Sequence, residues 1–369
     1  MGDGILWVCF GARGLRWGWS VALFLAVYFL ELLILSPYLS AVFGAGDLSV
    51  RDFTAIRMSA LEAVSLAMIL VAASVVALVE GRSLLDFNLR GPRGVRHFLA
   101  GLGAGFAALS LLVGALAMGG WIHFGGVALS GTAIMTNALL WGLCFLLVGC
   151  AEEGIFRCYL QSTLARSITF WQALGTVAFF SIDLLLKAWV NLDILAVLSL
   201  NILKTSVGGA PGVYALALLG VAPCLALHLR KAPGSSFWYA AWVTSTLFGF
   251  VHTGNGGENW VGIFQAAFVG VIFCVSIRVT GSAWWAIGCH AGWDWAQTYF
   301  YGTPDSGLVG KGHLLDSTIT GNPLWSGGAD GPEGSVLGVG VLLLLLAWLL
   351  ARYGRRSVAI AAVPELTAD

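Results

Sequence analysis

Two adjacent carboxylates, Glu152 and Glu153, stand four to five residues before Arg157, at the end of an apolar run that begins near Asn137. Charged groups in a bilayer-length segment are costly, about 2.5–3.5 kcal/mol each near a helix centre. Such a cost marks positions held for a specific pairing or for chemistry. On a helix Glu153 and Arg157 are four apart and share a face, so they can pair. Glu152 is rotated by about 100° from Glu153. A structural ion pair accounts for Glu153 and Arg157 and leaves Glu152 unexplained.

Two further apolar segments carry titratable groups. Phe248-Gly249-Phe250-Val251-His252 ends one in a histidine, and His290-Ala291-Gly292-Trp293-Asp294 sets a histidine and a carboxylate on one helical face. A lone histidine in an apolar run is usually a satisfied core residue. Two of them beside a paired acid point further, because intramembrane ionisable groups turn to the bundle interior and meet there. Glu152, His252, His290 and Asp294 are therefore expected around one cavity. Three chemistries fit such a cavity. In peptide hydrolysis, Glu152 and His252 would hold and deprotonate a water, and His290, oriented by Asp294, would donate to the oxyanion. Glu152, His252 and His290 also make a zinc-like ligand set, although the HExxH spacing is absent. Glu/His chains serve in addition as relays in proton-coupled transport.

The elements that must position these groups are membrane helices. The chain has 369 residues, 58% hydrophobic and 10% charged, with a mean hydropathy of +0.86. A soluble protein is about 25% charged. Long unbroken apolar runs exclude a β-barrel, whose strands are short and alternating. The fold class expected is all-α, a polytopic integral membrane bundle of about ten transmembrane helices. Candidate spans are Trp19–Leu39, Ala60–Val79, Phe98–Met118, Thr132 to about Ala165, Phe170–Val190, Val213–Leu229, Phe237–Val251, Val261–Ile277, Ala283–Phe300 and Val336–Leu350. The fourth, about 34 residues or roughly 51 Å long, exceeds a ~30 Å hydrocarbon core. It must tilt, kink at Gly149 or Gly154, or protrude. Ile194–Leu203 is too short to cross and is expected not to.

An even number of spans puts both termini on one side. That side holds Arg13 and Arg16, then Arg82, Arg90, Arg93 and Arg96, then Arg166, Arg230, Lys231, Arg278, Arg352, Arg355 and Arg356. The opposite loops hold Arg51 and Arg57, balanced by Asp47 and Asp52, with Lys204 and Lys311. The positive-inside rule then places a multi-pass protein in the cell membrane with both termini cytoplasmic. The first apolar run is longer than the core of a signal peptide and reads as a retained span. Net charge is zero and no basic run tracks phosphates, so no nucleic acid is expected as a partner. The seven cysteines form no CxxC pair and read as buried free thiols.

The order Glu152-Glu153-x-x-x-Arg157, Phe248-x-x-x-His252, His290-x-x-x-Asp294, on separate membrane helices, resembles the CAAX-protease and bacteriocin-processing family, the glutamate-type intramembrane proteases also called the ABI family. Leu84–Arg90 is similar to the family's lead-in, Arg157-Cys158-Tyr159-Leu160-Gln161 to the continuation of its first motif, and Gly331-Pro332-Glu333-Gly334 to a tail of bacterial members. The resemblance implies that Glu152 is the water-activating base and His252 its partner. It makes Glu153, Arg157 and Phe248 supporting residues, and His290 and Asp294 the oxyanion-side pair. Asp294 stands where many members have Asn, and an ionised Asp cannot donate, so its task here becomes that of orienting His290 or raising its pKa. A catalytic core would span 132–301, with N-terminal helices in 1–131 and an external loop, last helix and tail in 302–369. The first and second motifs lie farther apart than in the family, so about 170–231 reads as an inserted helical region. The function implied is a metal-independent endopeptidase without a cofactor, acting at the lipid bilayer on a membrane-associated peptide or protein. The rival is a non-proteolytic protein on the same scaffold: an immunity factor, a partner-binding subunit or a proton-coupled transporter.

Overall fold

The computed structural model describes residues 9–11, 14–43, 53–190, 192–194 and 207–360. Of the segment Ile194–Leu203, all but the first residue lies outside the described residues. In chain order the long helices are α1 (Trp17–Phe43), α2 (Ala55–Glu80), α3 (Gly94–Met118), α4 (Thr132–Glu153), α5 (Phe170–Val190), α6 (Ala210–Leu229), α7 (Ser235–His252), α8 (Trp260–Thr280), α9 (Trp284–Asp294) and α10 (Val336–Ile360). Helix α4 runs on through a π-helical stretch, Gly154–Leu160, to Leu164. Helix α9 runs on through a second, Trp295–Phe300. The protein is an all-α, multi-pass membrane bundle. Its only longer strands among the described residues, β1 (Ile122–Val127) and β2 (Leu315–Ile319), pair antiparallel in a loop layer.

Among the described residues, eight helices are long and apolar enough to cross a membrane: α1 to α6, α8 and α10. The expected ten include α7, which has 18 residues but a polar middle, and α9, which has only 11 residues before its π-helical stretch. Tyr239 to Thr246 of α7 are buried without a break, as are Trp285 to Cys289 of α9. These two helices meet protein instead of lipid, so α7 can carry Thr244, Ser245 and Thr246 in its middle. They also carry the histidine motifs. Lipid is met by outer faces such as Leu30, Leu33 and Ile34 of α1, all exposed.

Helix α9 is held on α3 at backbone distance. A Cβ at Gly101 would lie 2.1 Å from Trp285 O, and one at Gly105 2.0 Å from Cys289 O. Reciprocally, a Cβ at Gly288 would lie 2.1 Å from Phe98 O, and one at Gly292 2.2 Å from Leu102 O. Both helices thus present glycine at four-residue spacing, the device by which helices in lipid pack closely without a hydrophobic drive. His290 sits between the two glycines of α9, so its position is set by this contact. Leu109, Leu112 and Leu116 of α3 belong to the core cluster that also holds Ile272, Trp285 and Leu349. Gly105→Val is expected to lower the melting temperature of the detergent-solubilised protein by several degrees, whereas Gly103→Val, whose Cβ meets nothing within 4 Å, is expected to leave it unchanged. Differential scanning fluorimetry of the two variants checks this.

The ends of the bundle differ in chemistry. At one end Glu80 accepts from both Arg166 (2.7 Å) and Arg82 (3.0 Å) and from the Ser20 hydroxyl. At the other, Asn259 caps α8 through Val261 N and Gly262 N. The same residue ties the loop before α10 down, donating to Gly327 O, Gly334 O and Asp330.

Candidate active site

Glu152 and Glu153 are the last residues of α4 before its π-helical stretch, and Asp294 is the last of α9 before its own. A π turn adds a residue to the repeat and frequently marks a functional position. Here two such stretches begin at the titratable residues.

Glu153 and Arg157 are fully buried, with Glu153 Oε2 3.1 Å from Arg157 Nε. The two atoms are not aligned for a hydrogen bond, so this is an ion contact. The remaining guanidinium surface meets aromatic rings: Phe248 at 4.2 Å, Phe273 at 5.5 Å and Phe156 at 5.7 Å. Such rings present their negative faces to a cation. Space for the group comes from Gly270, where a Cβ would lie 2.5 Å from Nη2. The backbone at this point is fixed from outside, since the Asn88 amide donates to Arg157 O at 2.7 Å. Asn88 belongs to the lead-in stretch Leu84–Arg90.

The second oxygen of Glu153, Oε1, lies 2.8 Å from His290 Nδ1. A carboxylate can only accept, so Nδ1 carries the proton. His290 Nε2 is 3.4 Å from Asp294 Oδ2 and 3.8 Å from Glu152 Oε2. The sequence reading gives the orienting of His290 to Asp294. The structure gives the shorter bond to Glu153, which therefore joins Arg157 to the histidine as well as pairing with it. Four-residue spacing within one helix pointed to Asp294, while the closer partner comes from another helix.

His252 closes α7. Its Nδ1 lies 2.7 Å from Phe248 O; a carbonyl accepts, so Nδ1 is the donor. Its ring packs on Phe248 at 4.5 Å. Phe248 thus separates His252 from Arg157 and also touches His290 edge-on at 6.2 Å.

Glu152, His252, His290 and Asp294 all line one cavity of about 270 Å³. Glu153 and Arg157 stand behind its wall. Four further carboxylates line it that the sequence reading did not assign: Glu62, Glu258, Asp305 and Glu333. Glu62 had a signal, as a carboxylate inside the span Ala60–Val79, by the same test that singled out Glu152. Glu258 and Asp305 lie in polar loops, where a carboxylate is ordinary. A second cavity, about 560 Å³ and largely apolar, is walled by Phe24 and Tyr28 of α1, Phe179 and Phe180 of α5, Phe156 and Leu247. Glu152, His252 and Asn255 line both cavities. Among the described residues, no three His, Cys, Asp or Glu side chains converge closely enough to hold a metal ion.

Crowding and burial raise the acids of the loop layer. Burial pushes Asp305 up to about 6, against the Thr298 hydroxyl that donates to it at 2.7 Å. Burial, and then Glu258, push Asp330 up to about 8. Glu333 is raised as well, by burial and then by Asp305 and Asp330. An acid raised in the folded state binds its proton more tightly there than in the unfolded chain. Its contribution is thus fully present at low pH and lost as pH rises. For Asp330 the loss runs from about pH 4 to about pH 8. The melting temperature is expected to fall across that window, and Asp330→Asn is expected to flatten the fall. Thermal unfolding at a series of pH values measures both.

Residues 224–296 match a family described as Type II CAAX prenyl endopeptidase Rce1-like. The matched stretch contains Phe248, His252, His290 and Asp294, and it agrees with the resemblance carried by the motifs. No curated protein and no solved structure gives a significant match to the chain.

Proposed function

We propose that the chain is a membrane endopeptidase in which Glu152 and His252 activate a water to attack a peptide bond. The observation that carries this reading is the place of those two residues: both line the junction of a polar cavity with an apolar one. A membrane-associated peptide has both kinds of segment. Its apolar part fits between α1, α5 and α7, and the scissile bond reaches Glu152 and His252.

Glu152 Oε2 has no hydrogen-bond partner and can accept a proton from water. The free Nε2 of His252 is the second acceptor, and together they orient the attacking oxygen. His290, whose Nε2 faces the carboxylates of Asp294 and Glu152, acts as the imidazolium and donates from Nε2 as the tetrahedral oxyanion forms. Its Nδ1 proton is held on Glu153, and Arg157 balances the charge of that carboxylate. Such preset donors stabilise charge that develops only in the transition state. The proton taken by Glu152 then passes to the leaving amine, which balances the step. Asp294, 3.4 Å from Nε2, holds the ring until substrate displaces it.

The reading is metal-independent and uses no cofactor. A chelator is expected to leave cleavage intact. Strong loss of activity in chelator, restored by zinc, would instead favour Glu152, His252 and His290 as ligands. The assay is mass spectrometry of peptides presented to the protein in liposomes, with fragments that disappear in Glu152→Ala counted as products. We place the protein in the cell membrane with both termini cytoplasmic, on the asymmetry of arginines between the two ends.

A further inference from the structure

Loops rim the polar cavity at one end of the bundle. Asp305, Ser306 and Leu308 follow α9, Asn255 and Glu258 join α7 to α8, and Glu333 precedes α10. These connections form one layer: Asn259 bonds Asp330, Gly327 and Gly334, and Gly257 abuts Gly307, where a Cβ would come within 2.3 Å of the opposing Cα. The arginines lie at the other end, in the connections 81–93, 165–169 and 230–234 and at Arg278. At the rim end the described basic residues are Arg57, Lys187 and Lys311. Arginine-rich connections stay in the cytoplasm, so the rim faces away from it.

The wall has a charge to match a ligand. Glu62, Glu152, Glu258, Asp294, Asp305 and Glu333 line the cavity beside His252 and His290, and no described lysine or arginine does. Two acceptors are left over. Glu258 Oε2 has no partner, and neither does Oε1 of Gln265, a lining residue only 4% exposed. A concave site in which carboxylates outnumber cationic groups concentrates positively charged ligands and repels negative ones.

We propose that this cavity opens to the non-cytoplasmic face and takes a positively charged polypeptide segment from that side. The proposal rests on the endopeptidase reading for what happens next, but not for binding. Its consequence for substrate is definite. A segment ending in a free carboxylate just beyond the scissile bond is repelled, whereas lysine and arginine side chains there are drawn in.

Two measurements test it, neither of which needs cleavage. Asn255→Cys and Arg230→Cys, each in a Cys9→Ser background, are treated with a membrane-impermeant maleimide in intact expressing cells. Asn255→Cys is expected to label at once and Arg230→Cys only after permeabilisation. The reverse pattern overturns the side of access. The full chain in zwitterionic nanodiscs is then titrated with two N-palmitoylated peptide amides that differ only in carrying four lysines or four glutamates. The cationic peptide is expected to bind about tenfold more tightly at low salt, and Glu258→Gln/Asp305→Asn to erase most of that preference. Equal binding, or tighter binding of the glutamate peptide, overturns the charge assignment. Mass spectrometry of the same samples scores cleavage separately. A lysine preference without cleavage would keep this proposal and remove the endopeptidase reading.

Discussion

Alanine at Glu152 or at His252 is expected to abolish cleavage of any peptide that the unaltered chain cleaves in liposomes, while the protein stays folded in the membrane. The loss expected from removing a general base is about 10²–10⁴-fold, and removing either partner of a jointly held water takes most of it. Folding survives for reasons visible at each site. Glu152 is about one-third exposed and its Oε2 bonds nothing, so its removal leaves no orphaned partner. His252 gives up one hydrogen bond to a carbonyl and a ring contact, about 1 kcal/mol of net stability for such a bond. Glu152→Gln sharpens the test, because it keeps the shape and loses the base. Fluorimetry establishes that each variant melts within a few degrees of the parent, and mass spectrometry then compares initial rates. Full activity in Glu152→Gln and His252→Ala together would remove both residues from the mechanism and with them the reading itself.

Long apolar runs made most of the bundle readable in advance. The run Phe170–Val190 has the same bounds in the structure, and Trp19–Leu39 and Ala60–Val79 lie inside α1 and α2. These boundaries follow from the bilayer, which sets length and polarity together. The long fourth run continues through a π-helical stretch that begins at Gly154, one of the two glycines flagged for a kink. What the sequence could not reveal is pairing between distant residues. His290 and Glu153 are 137 residues apart, and local spacing favoured Asp294 because four residues along a helix is the one contact a sequence displays. The glycine contact of α3 with α9 has the same character: Gly101, Gly105, Gly288 and Gly292 each read as ordinary small residues until the two helices are set together. Glu62 differs, since its place inside a span was visible. It went unassigned because no second residue nearby gave it a partner. The region about 170–231 was read as an insertion; in the structure its first helix, α5, walls the apolar cavity with Phe179 and Phe180.

The buried chain from Arg157 through Glu153 to His290 carries the second large effect, on stability. Breaking a buried ion pair by removing one member costs about 3–5 kcal/mol, because an uncompensated charge remains. The two members should not be equal here. After Glu153→Leu, the guanidinium of Arg157 is left among Phe248, Phe273 and Phe156 with no carboxylate in contact. After Arg157→Leu, Glu153 keeps His290 at 2.8 Å and so retains a partner able to carry positive charge. Glu153→Leu is therefore expected to lower stability by the full ~3–5 kcal/mol and Arg157→Leu by less. The double variant should recover part of the loss, since two well-packed apolar groups of similar volume often replace a buried pair at little cost. Thermal unfolding of the four proteins in one detergent closes the cycle, and additive losses would mean that the pair is not coupled. Activity separates the two roles of Glu153. The double variant, restored in stability, is expected to remain inactive, because His290 has lost the carboxylate that fixes its Nδ1 proton. A double variant both stable and active would reduce Glu153 to half of an ion pair and return the orienting of His290 to Asp294.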